Sequence, residues 1–521
     1  MTRQAPSRGF ALPGGRSAVL LGVAIIIVAA IVPYLGTLGA GFVFDDHILI
    51  VKNPALRSPA GVPGFFTRGT WPSSIGRDTA TYRPLVLLTF FAVHHVAGPQ
   101  PSVFHAVNVA LHALNAVLVL LLLRRLGARD GVAALMGALV FAVHPVHVES
   151  VAWISGLTDV LMTTFVLVTL QFYAHPSRGA YAIALGSAAL ALLAKEPAVV
   201  IPVLVLAHDA LLLHRVRWAR VLGLVGVVAV YLAVRRTVLG ATVNTPHLSF
   251  DAMLRAGDYM LGYVNLVLAP VAAGLYLAPP ARMVGVLGAT VAVMIVTGVA
   301  AWAWRDRAVL FGAVVFVATL APALSLVFNV GATYAQRFLY LPSVAVALLV
   351  ARLPIGNWRT SATAIGAVAL AVATFVGTRE WRDDGVILAR AVRNTPDYHG
   401  AYRALALYHE GTGRRHEAAR LYLEAARLAP PPERAVIYNV LGLLHFTGGD
   451  FTAAVTAFRA ALDVDATRWD AVYNLAVTLG RMGREAEAQT YFATFVRHAP
   501  PDRYAVALAE ARHQLEPGPP K

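Results

Sequence analysis

Apolar residues along the first 377 positions gather into runs near 17–40, 103–123, 131–148, 155–173, 179–194, 197–213, 218–238, 283–304, 308–328, 338–351 and 360–377. A hydrocarbon core about 30 Å thick takes about 20 helical residues at 1.5 Å each, and most of these runs approach that length. The pattern predicts an all-α, polytopic transmembrane bundle of about 11 spans. One stretch needs a physical decision at once. From 180 to 213 the chain is almost continuously apolar, and a single helix there would reach about 51 Å. Pro197 disfavours an unbroken helix, so two shorter spans turning at Lys195-Glu196 are expected.

Beyond 377 the rhythm changes. Charged residues return, and short Ala-rich amphipathic segments alternate with glycine. Gly413, Gly449 and Gly483 recur at intervals of 36 and 34 residues. Ala418, Ala454 and Ala488 follow each of them, then Tyr422, Phe458 and Phe492, while Leu405, Leu441 and Leu475 share an earlier helical position. Pro396, Pro430 and Pro500 mark repeat ends. Small residues where helices cross, an aromatic filling the gap and glycine at the turn make the tetratricopeptide (TPR) pattern. The chain therefore reads as a membrane domain over 1–377, with a large first outer loop at 41–102, and a TPR α-solenoid over 378–521. The repeats are expected near 397–430, 433–466 and 467–500, with a capping helix at 502–515.

Composition sharpens this picture. Of 521 residues 58% are hydrophobic and only 14% charged, which excludes a disordered chain and argues against a wholly soluble one. The net charge of +15 is explained by arginines on cytoplasmic loops rather than by nucleic-acid binding. Without cysteine there is no disulfide framework, thiol catalysis or thiolate metal site. The first run follows Arg3, Arg8 and Arg16 and is too long for a signal-peptide core, so it reads as an uncleaved span with its basic end inside. The segment 251–281 is apolar but carries Asp258, Asn265, Pro270, Pro279 and Pro280. The loops holding Arg124, Arg178, Arg217, Arg307 and Arg352 fall on one side only if 251–281 does not cross. That topology expects an integral inner or cell membrane protein with a cytoplasmic N-terminus and an extracytoplasmic TPR domain.

Several constellations could carry chemistry. Asp45 and Asp46 stand just past the first span among apolar neighbours, where partial burial would make a general base; an ordinary turn is the plainer alternative. His105, Asn108, His112 and Asn115, spaced three, four and three, share one helix face, as interhelical glue or as a site. His144, His147 and Glu149 could coordinate a divalent metal, although that spacing is not diagnostic and no metal site is assigned. Arg337 either snorkels at a span boundary or clamps phosphate.

Taken in order, these pieces resemble a family. Phe44-Asp45-Asp46 with Asn53-Pro54, Tyr82-Arg83-Pro84-Leu85, the segment 105–115, the segment 141–153, Lys195-Glu196-Pro197 and 337–343 resemble the transmembrane and tetratricopeptide-repeat-containing O-mannosyltransferases and their bacterial relatives. These are GT-C-type glycosyltransferases. The resemblance implies a transferase moving a sugar, mannose first, from a polyprenyl-phosphate donor to a hydroxyl, with Ser/Thr of an exported protein bound through the repeats. Asp45 would be the base and Asp46 would orient the acceptor or the base. Arg337, with Arg83 or Lys195, would neutralise the lipid phosphate. His105, Asn108, His112, His144, His147 and Glu149 would line the site, no cofactor is required with certainty, and the partners are the lipid-linked sugar, membrane lipid and protein rather than nucleic acid. Two readings compete: a non-enzymatic TPR scaffold for envelope proteins, and a surface-glycan ligase or polymerase. The few repeats and the loose match of 251–281 depart from the family pattern and leave the acceptor open.

Overall fold

The computed structural model describes residues 16–71, 81–126, 128, 130–240, 250–270, 305–324, 334–353 and 357–516. The described residues form helices joined by turns, with no strand among them, and the chain divides into two units, Met1–Asp384 and Gly385–Lys521. The expected run at 283–304 and the end of 251–281 lie outside the described residues.

Among the described residues of the first unit, seven helices are long and apolar enough to cross a membrane: Ser17–Gly39, Pro101–Arg125, Ile154–Tyr173, Glu196–Leu213, Trp218–Leu239, Arg307–Leu324 and Ser361–Trp381. The run expected at 131–148 is a broken element in which Gly131–Val143 meets Pro145–Ala152 at 46°. Pro145 lacks the N–H that would continue the helix. Arg178–Ala194 and Ser343–Arg352 are helical but short, at 17 and 10 residues. Lys195 adopts an extended backbone (φ −161°, ψ 139°), so the chain does turn between the two halves of 180–213. The helix Phe250–Leu268 does not reach the apolarity of a span. Its Tyr263 and Leu266 pack on Val146, Leu320 and Leu339.

Close helix contact rests on small residues, as is usual where lipid provides no hydrophobic drive. A Cβ on Gly137 would lie 2.3 Å from the Ala347 carbonyl oxygen, so only glycine lets these two helices meet. On the outside, Leu20, Val230, Ile365 and Val368 are more than half exposed, which suits a surface bathed in acyl chains.

The unit has two chemically distinct ends. His105 sits near the start of helix Pro101–Arg125, and Arg125 closes it about 30 Å away. At the Arg125 end, Arg125 donates to the Gln171 carbonyl, Arg220 to the Tyr173 carbonyl at 2.9 Å, and Arg217 to Asp209 at 2.7 Å. The acidic turn and the breaks at 144 and 153 lie at the other end.

The second unit is a row of antiparallel helix pairs: His399–Gly411 with Arg415–Leu428, Pro431–Thr447 with Phe451–Val464, Trp469–Arg481 with Glu485–His498, then Pro501–Leu515. Gly413, Gly449 and Gly483 have φ of +78°, +82° and +73°, the left-handed conformation that the turn requires of them. The alanines, aromatics and leucines at repeat positions are all buried. Gly442 lets the Phe458 ring approach, because a Cβ there would lie 2.4 Å from it.

Candidate active site

The stripe of His105, Asn108, His112 and Asn115 is completely buried and its work is mostly structural. The Asn108 amide donates to the carbonyls of Trp153 at 2.8 Å and Ile154 at 3.2 Å, at the break after Ala152. His112 Nε2 donates to the Ala142 carbonyl at 2.9 Å beside the Pro145 break, and its Nδ1 accepts from the Tyr340 hydroxyl at 2.8 Å. The Asn115 amide donates to the Val160 carbonyl at 2.9 Å and to Tyr340 Oη at 3.2 Å. Broken helices in lipid leave carbonyls without partners, and this face supplies them. His105 lies beside the same stretch, buried near Gly41 and Ala152.

His144, His147 and Glu149 do not converge. His147 Nε2 donates to Ser343 Oγ at 2.7 Å, His144 Nε2 to the Val267 carbonyl at 3.1 Å, and Glu149 takes both the backbone N–H and the guanidinium of Arg337. Among the described residues no three His, Asp or Glu side chains gather as metal ligands would.

The acidic pair splits by role. Asp46 is fully buried: Oδ1 accepts from the Ser155 N–H at 2.9 Å and the Ser155 hydroxyl at 2.5 Å, and Oδ2 accepts from the Val43 N–H at 3.0 Å. Burial pushes its carboxyl up to about 7, against the lowering effect of those hydrogen bonds. An acid held this way points inward and shapes the turn. Asp45 is half-buried, and its charge is felt by both Asp46 and Arg337.

Arg337 acts on Asp45 electrostatically, and Arg337, Lys195 and Arg83 each have a carboxylate partner from another part of the chain. Arg337 pairs with Glu149, Lys195 Nζ lies 2.6 Å from both oxygens of Asp159, and Arg83 Nη2 lies 3.0 Å from Glu196. Besides Asp159, the charges of Arg83 and Arg337 also act on Lys195. The Lys195 ammonium lies 5.3 Å from the Phe338 ring centre, and the Arg337 guanidinium lies 5.7 Å from that of Trp153. A half-buried carboxylate within electrostatic reach of Arg337 suits deprotonation of a hydroxyl next to a departing anion.

Sequence reasoning gave no role to Ser155, Asp159 or Asp384 and took Glu196 only as part of a turn motif, yet all four hold this arrangement. Ser155 caps Asp46, Asp159 and Glu196 pair the cations, and Asp384 accepts from the Phe44 N–H at 2.7 Å while meeting His47 Nε2 at 2.7 Å. Trp381 is wholly buried and stacks on Trp153 at 5.7 Å.

Comparison with known proteins adds three findings. Residues 403–470 and 439–502 match the tetratricopeptide repeat family model. The chain is similar to the human protein O-mannosyl-transferase TMTC1, 35% identical over 164 residues, and to the Caenorhabditis elegans protein O-mannosyl-transferase F38B6.6, 34% identical over 160 residues. The first match takes in 31% of this chain and 18% of the relative, the second 30% and 23%, so the chain spans under a quarter of each relative's length. Among solved structures, ArnT from Cupriavidus metallidurans bound to undecaprenyl phosphate aligns with 94% of this chain and 82% of its own, at 13% identity and a TM-score of 0.42. The chain is thus a membrane protein with tetratricopeptide repeats, similar to the TMTC O-mannosyl-transferases as its motifs had implied.

Proposed function

We propose that this protein is a GT-C-type membrane glycosyltransferase that moves a sugar, mannose first, from a polyprenyl-phosphate carrier to a hydroxyl, with Ser/Thr of exported proteins as the acceptor class. The observation that carries the reading is the half-buried Asp45 within electrostatic reach of Arg337, which in turn acts on Lys195 together with Arg83. Asp45 takes the proton of the acceptor hydroxyl. The acceptor oxygen bonds to the anomeric carbon, the bond from that carbon to the phosphate oxygen breaks, and the leaving phosphate keeps the electron pair beside the three cations. The carrier's isoprenoid tail gives a reason for a membrane catalyst. The basic loops at the Arg125 end support a cytoplasmic position for that end, with the acidic turn and the repeats outside.

The test uses purified protein, labelled polyprenyl-phosphate-mannose and a mixed Ser/Thr peptide pool. Label should reach peptide, and Asp45→Asn should lower the initial rate roughly 10²–10⁴-fold at matched protein level. Near-wild-type turnover in Asp45→Asn removes it as the base, and absence of any transfer by the wild-type protein removes the reading. Topology has its own check in the cysteine-free chain. An impermeant thiol reagent should label Thr412→Cys in intact cells and Arg178→Cys only after lysis.

A further inference from the structure

The turn that presents Asp45 is held from two opposite sides. On the inner side Asp46 is consumed by Val43 and Ser155. On the other side a single carboxylate brackets the acidic pair: Asp384 Oδ1 accepts from the Phe44 N–H and Oδ2 meets His47 Nε2, each at 2.7 Å. Between these two anchors Phe44 adopts φ +52°, a left-handed conformation unfavourable for an aromatic residue unless its surroundings enforce it. Neighbours of Asp384 reinforce the same place. The Arg382 carbonyl accepts from the Gly41 N–H at 3.0 Å, and Trp381 stacks on Trp153, which in turn touches the Phe44 ring at 6.3 Å.

We infer that Asp384, through Phe44 and His47, is a positioning residue that aims the Asp45 carboxylate. The inference rests on the transferase reading above, in which Asp45 is the base. A rotation about the Phe44–Asp45 link would swing that carboxylate, and a misplacement of about 1 Å is enough to cost about 10²-fold in rate. Besides Asp384, the charged groups that act on His47 are Asp46 and Lys52.

The experiment compares Asp384→Ala and Asp384→Asn with wild type in the full-length protein. Asp384→Ala should lower kcat about 10²-fold while the donor KM stays unchanged. Asp384→Asn keeps an oxygen for the Phe44 N–H and an amide N–H for neutral imidazole. It should therefore retain most activity at alkaline pH and lose it as His47 becomes protonated, a profile that simple loss of packing does not produce. A second readout needs no turnover. With Asp45→Cys as the sole thiol, adding Asp384→Ala should change its alkylation rate several-fold, while a Thr412→Cys control keeps its rate. Unchanged kcat in Asp384→Ala together with unchanged Cys alkylation overturns the inference. If wild type transfers no sugar, the transferase reading falls and the thiol rates alone still decide whether Asp384 holds the turn.

Discussion

Both units bury apolar side chains, but they differ in what they enclose beside them and in what they turn outward. In the membrane unit His105, His112, Asn115 and Asp46 are fully enclosed while Leu20, Val230 and Ile365 face outward. In the repeat unit Ala454, Phe458, Leu475 and Phe495 are enclosed, and pairs such as Arg459–Glu487 lie on the surface. The difference teaches which solvent each region answers to. Where the surroundings are hydrocarbon, apolar burial gives little drive, and polar contacts and small residues specify the fold. Where they are water, apolar burial does the assembling and surface charge adds little.

This contrast can be broken by removing one arginine from each region. Arg337→Met leaves Glu149 buried without its strongest partner and should cost about 3–5 kcal/mol in thermal unfolding of the detergent-solubilised protein, with loss of transfer. Adding Glu149→Leu should recover much of the stability and none of the activity. A small effect of Arg337→Met alone would mean that the bundle tolerates an unpaired buried charge. In the repeats the corresponding large effect should come from an apolar deletion. Phe458→Ala should cost about 3–5 kcal/mol for that unit, read by far-UV circular dichroism, because the ring fills the gap against Gly442.

A smaller, pH-dependent effect belongs to Asp46. Folding raises its carboxyl from 3.8 to about 7, so the folded state holds a proton that the unfolded chain releases. Its contribution is therefore full below the unfolded value, declines as pH rises toward about 7, and changes no further above that. Asp46→Asn cannot titrate. Relative to wild type its Tm should improve steadily across that window, on top of a constant loss from the Val43 hydrogen bond. A parallel pair of Tm–pH curves would exclude Asp46 as the titrating group. The smallest effect should come from Arg459→Ala, under about 1 kcal/mol, because its pair with Glu487 is nearly half exposed on both sides.

Much of the fold was legible because its signals are periodic or local. Apolar runs mark helices, Pro197 marks a break, and the 34-residue spacing of Gly449 and Gly483 marks repeats, whereas the bend at Pro145 falls inside a run expected as one span. Length was less legible: Ser343–Arg352 is a short helix after a turn rather than a span beginning at 338, since Pro342 delays its start. At the site, the types Asp, Arg and Lys beside membrane spans drew attention through their cost there. Their division of labour did not follow from sequence. Asp45 and Asp46 are chemically identical neighbours, and only the contact of Asp46 with Ser155, 109 residues away, separates them. Asp384 was invisible for the same reason, lying 340 residues from Phe44 in a stretch expected to belong to the repeat domain. The His/Asn stripe was equally ambiguous until the helix breaks it serves were known.

The pairing of these cations with remote carboxylates also bears on how the chain is made. Arg83 and Glu196 are 113 residues apart, and Glu149 and Arg337 are 188 apart. At a synthesis rate of about 5–20 residues per second, Glu149 leaves the ribosome roughly 10–40 s before its partner exists. During that interval a carboxylate destined for the interior must wait in water or travel protonated. The charge cluster is thus among the last parts of the membrane unit to close, and a chain stopped before residue 337 would display its carboxylates as an open wound for quality control to find.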